Sequence, residues 1–239
     1  LAGEAVREIP YYGLMETSLQ GVEIVISQTG FTGEKGYEIY VRDAHQNAEI
    51  VWNAVLEGGE EFRLQVVAPA HHRRIAAGIL SWGQDLDFET SPFQVNLSYQ
   101  VPRNKKADYI GKKELERQRA AIDGGNFPFA MRMAGLIFGG KKITDYAPDF
   151  WLIADTNGND MGYITSPWWS PELNTNIALG WVPAASSEIG TKLLVRLPDE
   201  YSESSGVPVE GEIVDVPFRE SINPNIREVA KAKGLDYAE

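Results

Sequence analysis

The sequence predicts an α+β protein: an antiparallel sheet with helices, a ferredoxin-like portion, followed by a C-terminal β-barrel-like domain. Three observations carry this expectation. Residues 21–41 hold two β-forming runs joined by a glycine-rich connection. Apolar residues then recur at helical spacing from Ala48 to Val55, and six short β-like runs separated by turn clusters fill residues 131–216. The expected domains are an α+β portion over 1–125, a β-rich barrel-like domain over 126–218, and a tail helix over 219–239.

Taken in order, residues 21–27 alternate in part, with Val22, Ile24 and Ile26 set against Glu23, Val25 and Ser27, as in a half-buried strand. Gly30, Gly33 and Gly36 follow at three-residue intervals and can take positive φ, and 37–41 returns as the paired strand. Asp43 is placed as the N-cap of a helix whose apolar face is Ala48, Val51, Trp52 and Val55, ended by Gly58-Gly59. The stretch 73–80 fits a strand or a short helix, and 82–87 is a polar turn. Residues 95–101 have a strand pattern, and 112–122 form a charged helix stopped by Gly124-Gly125. The Gly-, Asn- and Pro-containing stretch 123–128 is the expected domain boundary. The six β-like runs are 131–138, 150–154, 162–165, 177–182, 192–197 and 209–216, with a terminal helix at 225–234.

Composition excludes several functions. The chain has 239 residues, 43% apolar and 23% charged, enough for a substantial core in one large or two ordinary domains. A net charge of −12 repels phosphate backbones and argues against nucleic-acid binding. The basic cluster of Arg103, Lys105, Lys106, Lys112 and Lys113 is too sparse to reverse this and suits a solvated loop and helix face. With no cysteine, disulfides, thiolate catalysis and cysteine-based metal sites are ruled out. Only His45, His71 and His72 could serve a histidine metal site, and no metal is expected. No apolar run is long enough to span a bilayer, and no signal-like segment opens the chain, so no membrane association and a cytoplasmic enzyme are expected.

Several blocks in a fixed order carry a resemblance. They are the 27–41 run; Arg74-Ile75-Ala76-Ala77-Gly78; Trp82-Gly83-Gln84-Asp85; Thr90-Ser91-Pro92-Phe93; Tyr109-Ile110-Gly111-Lys112; and, in the β-rich part, Gly162-Tyr163-Ile164-Thr165-Ser166, Ser170-Pro171 and residues 176–182. Together they resemble the tetrahydrofolate-dependent aminomethyltransferase superfamily, the glycine-cleavage T-protein and its folate-dependent demethylase relatives, over its C-terminal two-thirds. The resemblance implies a transferase of one-carbon metabolism. A methyl or aminomethyl group would move from an N-, O- or S-methylated donor to tetrahydrofolate.

The family's folate-contacting carboxylate maps onto Glu38, and a carboxylate can accept two adjacent N–H groups of a pterin edge. The ordinary alternative is an exposed strand glutamate paired with a lysine. The family's aromatic, usually Tyr, falls on Phe31, while Glu34 in the turn is expected to be solvated. Trp82 is a pocket aromatic or simply core. Trp168-Trp169 is a ligand-stacking pair or a packed loop. The family's active-site arginine falls on Ala70 and its glutamate on Ala76, departures that put glycine cleavage in doubt and favour a demethylase-type relative. His71 and His72 could handle a proton near neutral pH, or be ordinary surface or core histidines. The family's catalytic aspartate would lie upstream of Leu1, so an N-terminal polypeptide, separate or part of a longer chain, is expected to complete the site. The alternative is a non-catalytic folate-binding or regulatory module or subunit.

Overall fold

The structure, a computed structural model, describes residues 2–218. Its contacts divide the chain between Ala70 and His71 into two compact units. The expected tail helix lies outside the described residues, and the expected boundary near 125 falls within the second unit, between its helical segment and its first barrel strand.

The first unit holds three antiparallel strands in the order β1-β2-β3, β1 being Leu14–Leu19, β2 Val22–Ser27 and β3 Glu38–Val41. Strand β1 has no counterpart in the sequence pattern, because Glu16 and Ser18 dilute its β-forming character. The predicted hairpin is present, with Ser27 opposite Glu38 and Ile24 opposite Val41. Within its connection only Gly33 takes positive φ, at 72°, so Gly30 and Gly36 have backbone conformations open to other residues. Helix α1, Ala44–Gly59, packs Val51 and Ala54 onto Val22, Ile24 and Ile26. Each such apolar side chain contributes roughly 1.5–3 kcal/mol when fully buried.

Three details of α1 differ from expectation. Trp52 is exposed and Ala54 takes the buried position, one step round the helix. Asp43 sits at the start in the left-handed region, φ 48°, and accepts from the Gln46 and Asn47 amides through its backbone carbonyl rather than its carboxylate. The helix also runs through Gly58-Gly59 and on into a 3-10 turn, Glu60–Phe62, before Arg63 at φ 57° reverses the chain.

The second unit opens with α2, His71–Ala76, which resolves the 73–80 ambiguity in favour of a short helix. Residues 95–101 are not a strand. Asn96 is left-handed at φ 61°, and Ser98–Gln100 forms a 3-10 turn. The Ser98 and Val101 carbonyls accept from the Arg119 guanidinium instead of a neighbouring strand. Arg119 lies on α3, Lys112–Asp123, as expected for the charged helix.

Six strands then close a barrel in the order β4-β7-β6-β5-β8-β9. They are β4 Met131–Phe138, β5 Trp151–Ala154, β6 Asp160–Ser170, β7 Thr175–Pro183, β8 Lys192–Val195 and β9 Val209–Val214. Leu136, Ile153, Ile164, Val182, Leu193, Val195 and Ile213 fill its interior. Gly162 permits the close pairing of β6 with β7, since a Cβ there would sit 2.1 Å from the Trp181 carbonyl oxygen. Trp168 and Trp169 belong to β6, not to a loop. No described helix is long and apolar enough to cross a membrane.

Candidate functional site

Glu38 stands at the open end of the β2–β3 hairpin, half-buried, opposite Ser27. Its Oε2 accepts from the Thr29 hydroxyl and, at 3.0 Å, from the Tyr40 hydroxyl two residues along the strand. Thr29 Oγ1 also lies 3.1 Å from Ser27 Oγ, which donates to the Gly13 carbonyl at 3.2 Å. A chain of hydroxyls thus ties the carboxylate to the backbone before β1. The Glu38 hydrogen bond and negative charge raise the Tyr40 phenol above its ordinary range. Among the described residues Oε1 of Glu38 has no hydrogen-bond partner and Glu38 has no ion pair, so the lysine-paired alternative is not what the fold adopts.

Phe31 lies in the connection of the same hairpin and is 48% exposed. Tyr37 and Ile39, on either side of Glu38 in the chain, are exposed too. Glu34 is half-buried rather than solvated, and its amide donates to Thr32 Oγ1 at 3.2 Å.

The other sequence-derived residues lie in the second unit. Trp82 is 57% exposed and meets Phe88 edge-on at 4.7 Å, so it is not core. His72 is half-buried. His71, also half-buried, stacks on Trp168 at 5.8 Å and meets Tyr146 at 5.2 Å. Arg74 Nε donates to His71 Nδ1 at 3.4 Å, which places the imidazole proton on Nε2. Burial first, and the Arg74 charge second, lower the His71 pKa despite the opposing pull of Asp85.

The sequence blocks around Arg74 and Asp85 prove to be partners, which their separate motifs did not reveal. Arg74 donates to Asp85 Oδ2 at 2.9 Å, both side chains being almost wholly buried. The guanidinium also donates to the Ile79 carbonyl, Gln84 Oε1 and Ser166 Oγ. Asp85 Oδ1 accepts from Thr165 Oγ1 at 2.5 Å and Ser166 Oγ at 2.6 Å, while Oδ2 accepts from the Ser81 amide. Adjacent strand residues normally face opposite sides. Here the register of β6 against β7 skips between Ile164 and Ser166, and this bulge lets both hydroxyls reach one oxygen. Burial, which the sequence does not show, explains the pairing, since neither charge survives burial alone. Among the described residues no group of three or more His, Asp or Glu could hold a metal.

The chain thus holds a three-stranded antiparallel sheet and, later in the sequence, a closed six-stranded barrel. Residues 3–105 match the GCVT N-terminal domain and residues 132–218 the glycine cleavage T-protein C-terminal barrel domain. The chain therefore belongs to the glycine-cleavage T-protein family, within the folate-dependent aminomethyltransferase superfamily.

Among similar proteins, a dimethylsulfoniopropionate demethylase of Ruegeria pomeroyi is 33% identical over 82% of this chain and 51% of its own length. An aminomethyltransferase of Thermotoga maritima is 32% identical over 91% of this chain and 54% of its own length. The crystal structure of the glycine cleavage system aminomethyltransferase T from Bartonella henselae shares the fold, with a TM-score of 0.69 and 24% identity over 90% of this chain and 54% of that one. The chain spans about half the length of the relatives it matches.

Proposed function

We propose that this chain takes part in folate-dependent one-carbon transfer, moving a methyl or aminomethyl group from an N-, O- or S-methylated donor to tetrahydrofolate, as a demethylase-type member of its family. One observation carries the folate assignment: Glu38 keeps Oε1 available while two hydroxyls hold Oε2, so the carboxylate is oriented yet able to accept N–H groups. Phe31, exposed in the same hairpin, offers a ring face to the folate. When bound, tetrahydrofolate supplies the nucleophilic N5. The chain's residues supply orientation, which is the main requirement of such a transfer.

Ala70 and Ala76, where the family has an arginine and a glutamate, support the demethylase type over glycine cleavage, as does the similarity to a sulfonium demethylase. His71, neutral with its proton on Nε2, is assigned as a proton-handling group, with His72 beside it as the second choice. An N-terminal polypeptide is assigned the remaining part of the site, including the family's catalytic aspartate.

Isothermal titration with tetrahydrofolate tests the assignment, using this chain alone and mixed with a polypeptide matching the front half of its relatives. Binding in either form supports it, and binding only in the mixture supports the divided site. Absence of binding in both overturns it. Unchanged affinity in Glu38→Ala overturns the carboxylate contact. Folate binding without methyl transfer from any methylated donor would instead favour a non-catalytic folate-binding module.

A further inference from the structure

A cavity of about 330 Å3 lies in the second unit, at the small end of ligand-site volumes. Its walls combine two kinds of group. Phe150 and Tyr163 stack at 5.4 Å, nearly parallel, and Met131 adds a thioether, while Asp87 and Glu89 contribute carboxylates from the loop after Asp85. Among the described residues no lysine, arginine or histidine lines it.

The charge of its third carboxylate, Asp85, is offset by Arg74, but among the described residues Asp87 and Glu89 have no ion pair. Asp87 Oδ1 accepts only from the Glu89 amide and the Thr90 hydroxyl, and among the described residues the Glu89 carboxylate has no partner. Each side-chain N–H group on the wall already donates to a carbonyl. Gln84 donates to the Thr165 carbonyl and Gln94 to the Met131 carbonyl, and the Trp181 indole N–H is held by the Asp85 carbonyl.

We propose that this cavity is a binding site for a small alkylated organic cation, an ammonium or sulfonium group whose alkyl substituents meet Phe150, Tyr163 and Met131 and whose charge faces Asp87 and Glu89. Aromatic faces attract such cations through their quadrupoles, and carboxylates add the Coulombic part. A divalent metal fits less well, because the described residues include no group of three or more metal-ligating side chains. Asp87 also helps raise the Tyr163 phenol pKa, after burial, so the carboxylate's field reaches the aromatic wall.

The test is a two-dimensional NMR titration of the wild-type chain with tetramethylammonium chloride, at constant ionic strength set by sodium chloride. tert-Butanol serves as a neutral probe of similar shape. Saturable shifts of the Gly83 amide and the Trp181 indole N–H are expected with tetramethylammonium, with affinity about tenfold weaker for tert-butanol. A chain carrying both Asp87→Asn and Glu89→Gln should lose a similar factor, and Phe150→Ala should lose affinity too. All three residues are exposed, so these variants should keep the fold. No saturable shift, equal response to the two probes, or unchanged affinity in the carboxylate variant would each overturn the proposal. The comparison of probes needs no mutation, so misfolding cannot mask the answer. Failure here would leave the folate assignment of Glu38 untouched, because that rests on another unit.

Discussion

Asp85 in the second unit and Glu38 in the first are both carboxylates held by hydroxyl donors, yet they are used in opposite ways. Asp85 is buried, accepts on both oxygens, and faces an arginine that is itself buried and hydrogen-bonded on every side. Glu38 is half-buried, accepts on one oxygen and has no ion pair among the described residues. The first arrangement leaves nothing for a ligand to bind, and it joins α2, the 81–87 turn and β6 into one body. The second orients a charge and leaves it available. Similar donors therefore mark structure in one place and a binding surface in the other, and what separates them is how much acceptor capacity remains.

The largest effect should come from opening the buried pair. Arg74→Met leaves Asp85 buried and without its counter-charge, and denaturant unfolding should show a loss of about 3–5 kcal/mol. A loss under about 1 kcal/mol would mean that water or rearrangement compensates, and the contrast with Glu38 would fail. Thr165→Val tests the bulge more gently. It removes one of two hydroxyls from Asp85 Oδ1 at nearly constant volume, with an expected cost of about 1–2 kcal/mol on the same assay.

The pH response of His71 comes next. Its folded pKa lies below the ordinary histidine value of 6.5, so between those two values the unfolded chain binds more protons than the folded one. Its contribution is complete above the unfolded pKa, falls as pH drops below it, and changes no further below the folded pKa. Unfolding measured at about pH 7.5 and about pH 5.5 should show a smaller acid loss in His71→Asn than in the wild type. Equal losses would show that other groups dominate. The smallest effect is spectroscopic. Removing the Glu38 charge in Glu38→Gln should bring the Tyr40 phenol titration down towards its ordinary value, read from tyrosinate absorbance, whereas an unmoved titration would separate the two side chains.

Much of the barrel was legible because its strands announce themselves. Val-, Ile- and Leu-rich runs bounded by turn clusters match β4, β5, β7, β8 and β9 closely, whereas β6 runs on to Ser170, well past the expected 162–165; Gly33 and Gly125 sit where positive φ is needed. Local pattern failed where long-range partners decide. Residues 95–101 look like a strand, but Arg119 on a distant helix satisfies their carbonyls and Asn96 breaks the extended path. Strand β1 was invisible because pairing with β2, not its own composition, holds it extended. At the candidate site, the motif located Glu38 but not Thr29 or Tyr40, since nothing in the spacing says which hydroxyls converge on it. The motif blocks likewise held Arg74 and Asp85 without showing that they meet, because an 11-residue separation pairs them only through the turn between them.

The most direct test is thermal unfolding of the protein carrying this chain, with and without tetrahydrofolate, in the wild type and in Glu38→Gln. A ligand that binds the folded state raises Tm according to its affinity. The two proteins should have nearly the same Tm without folate, because the amide oxygen in Glu38→Gln can still accept from Thr29 and Tyr40, and the folate-induced rise should be much smaller in the variant. A lower folate-free Tm in Glu38→Gln, or an equal rise in both proteins, would contradict the division between a structural Asp85 and a ligand-facing Glu38.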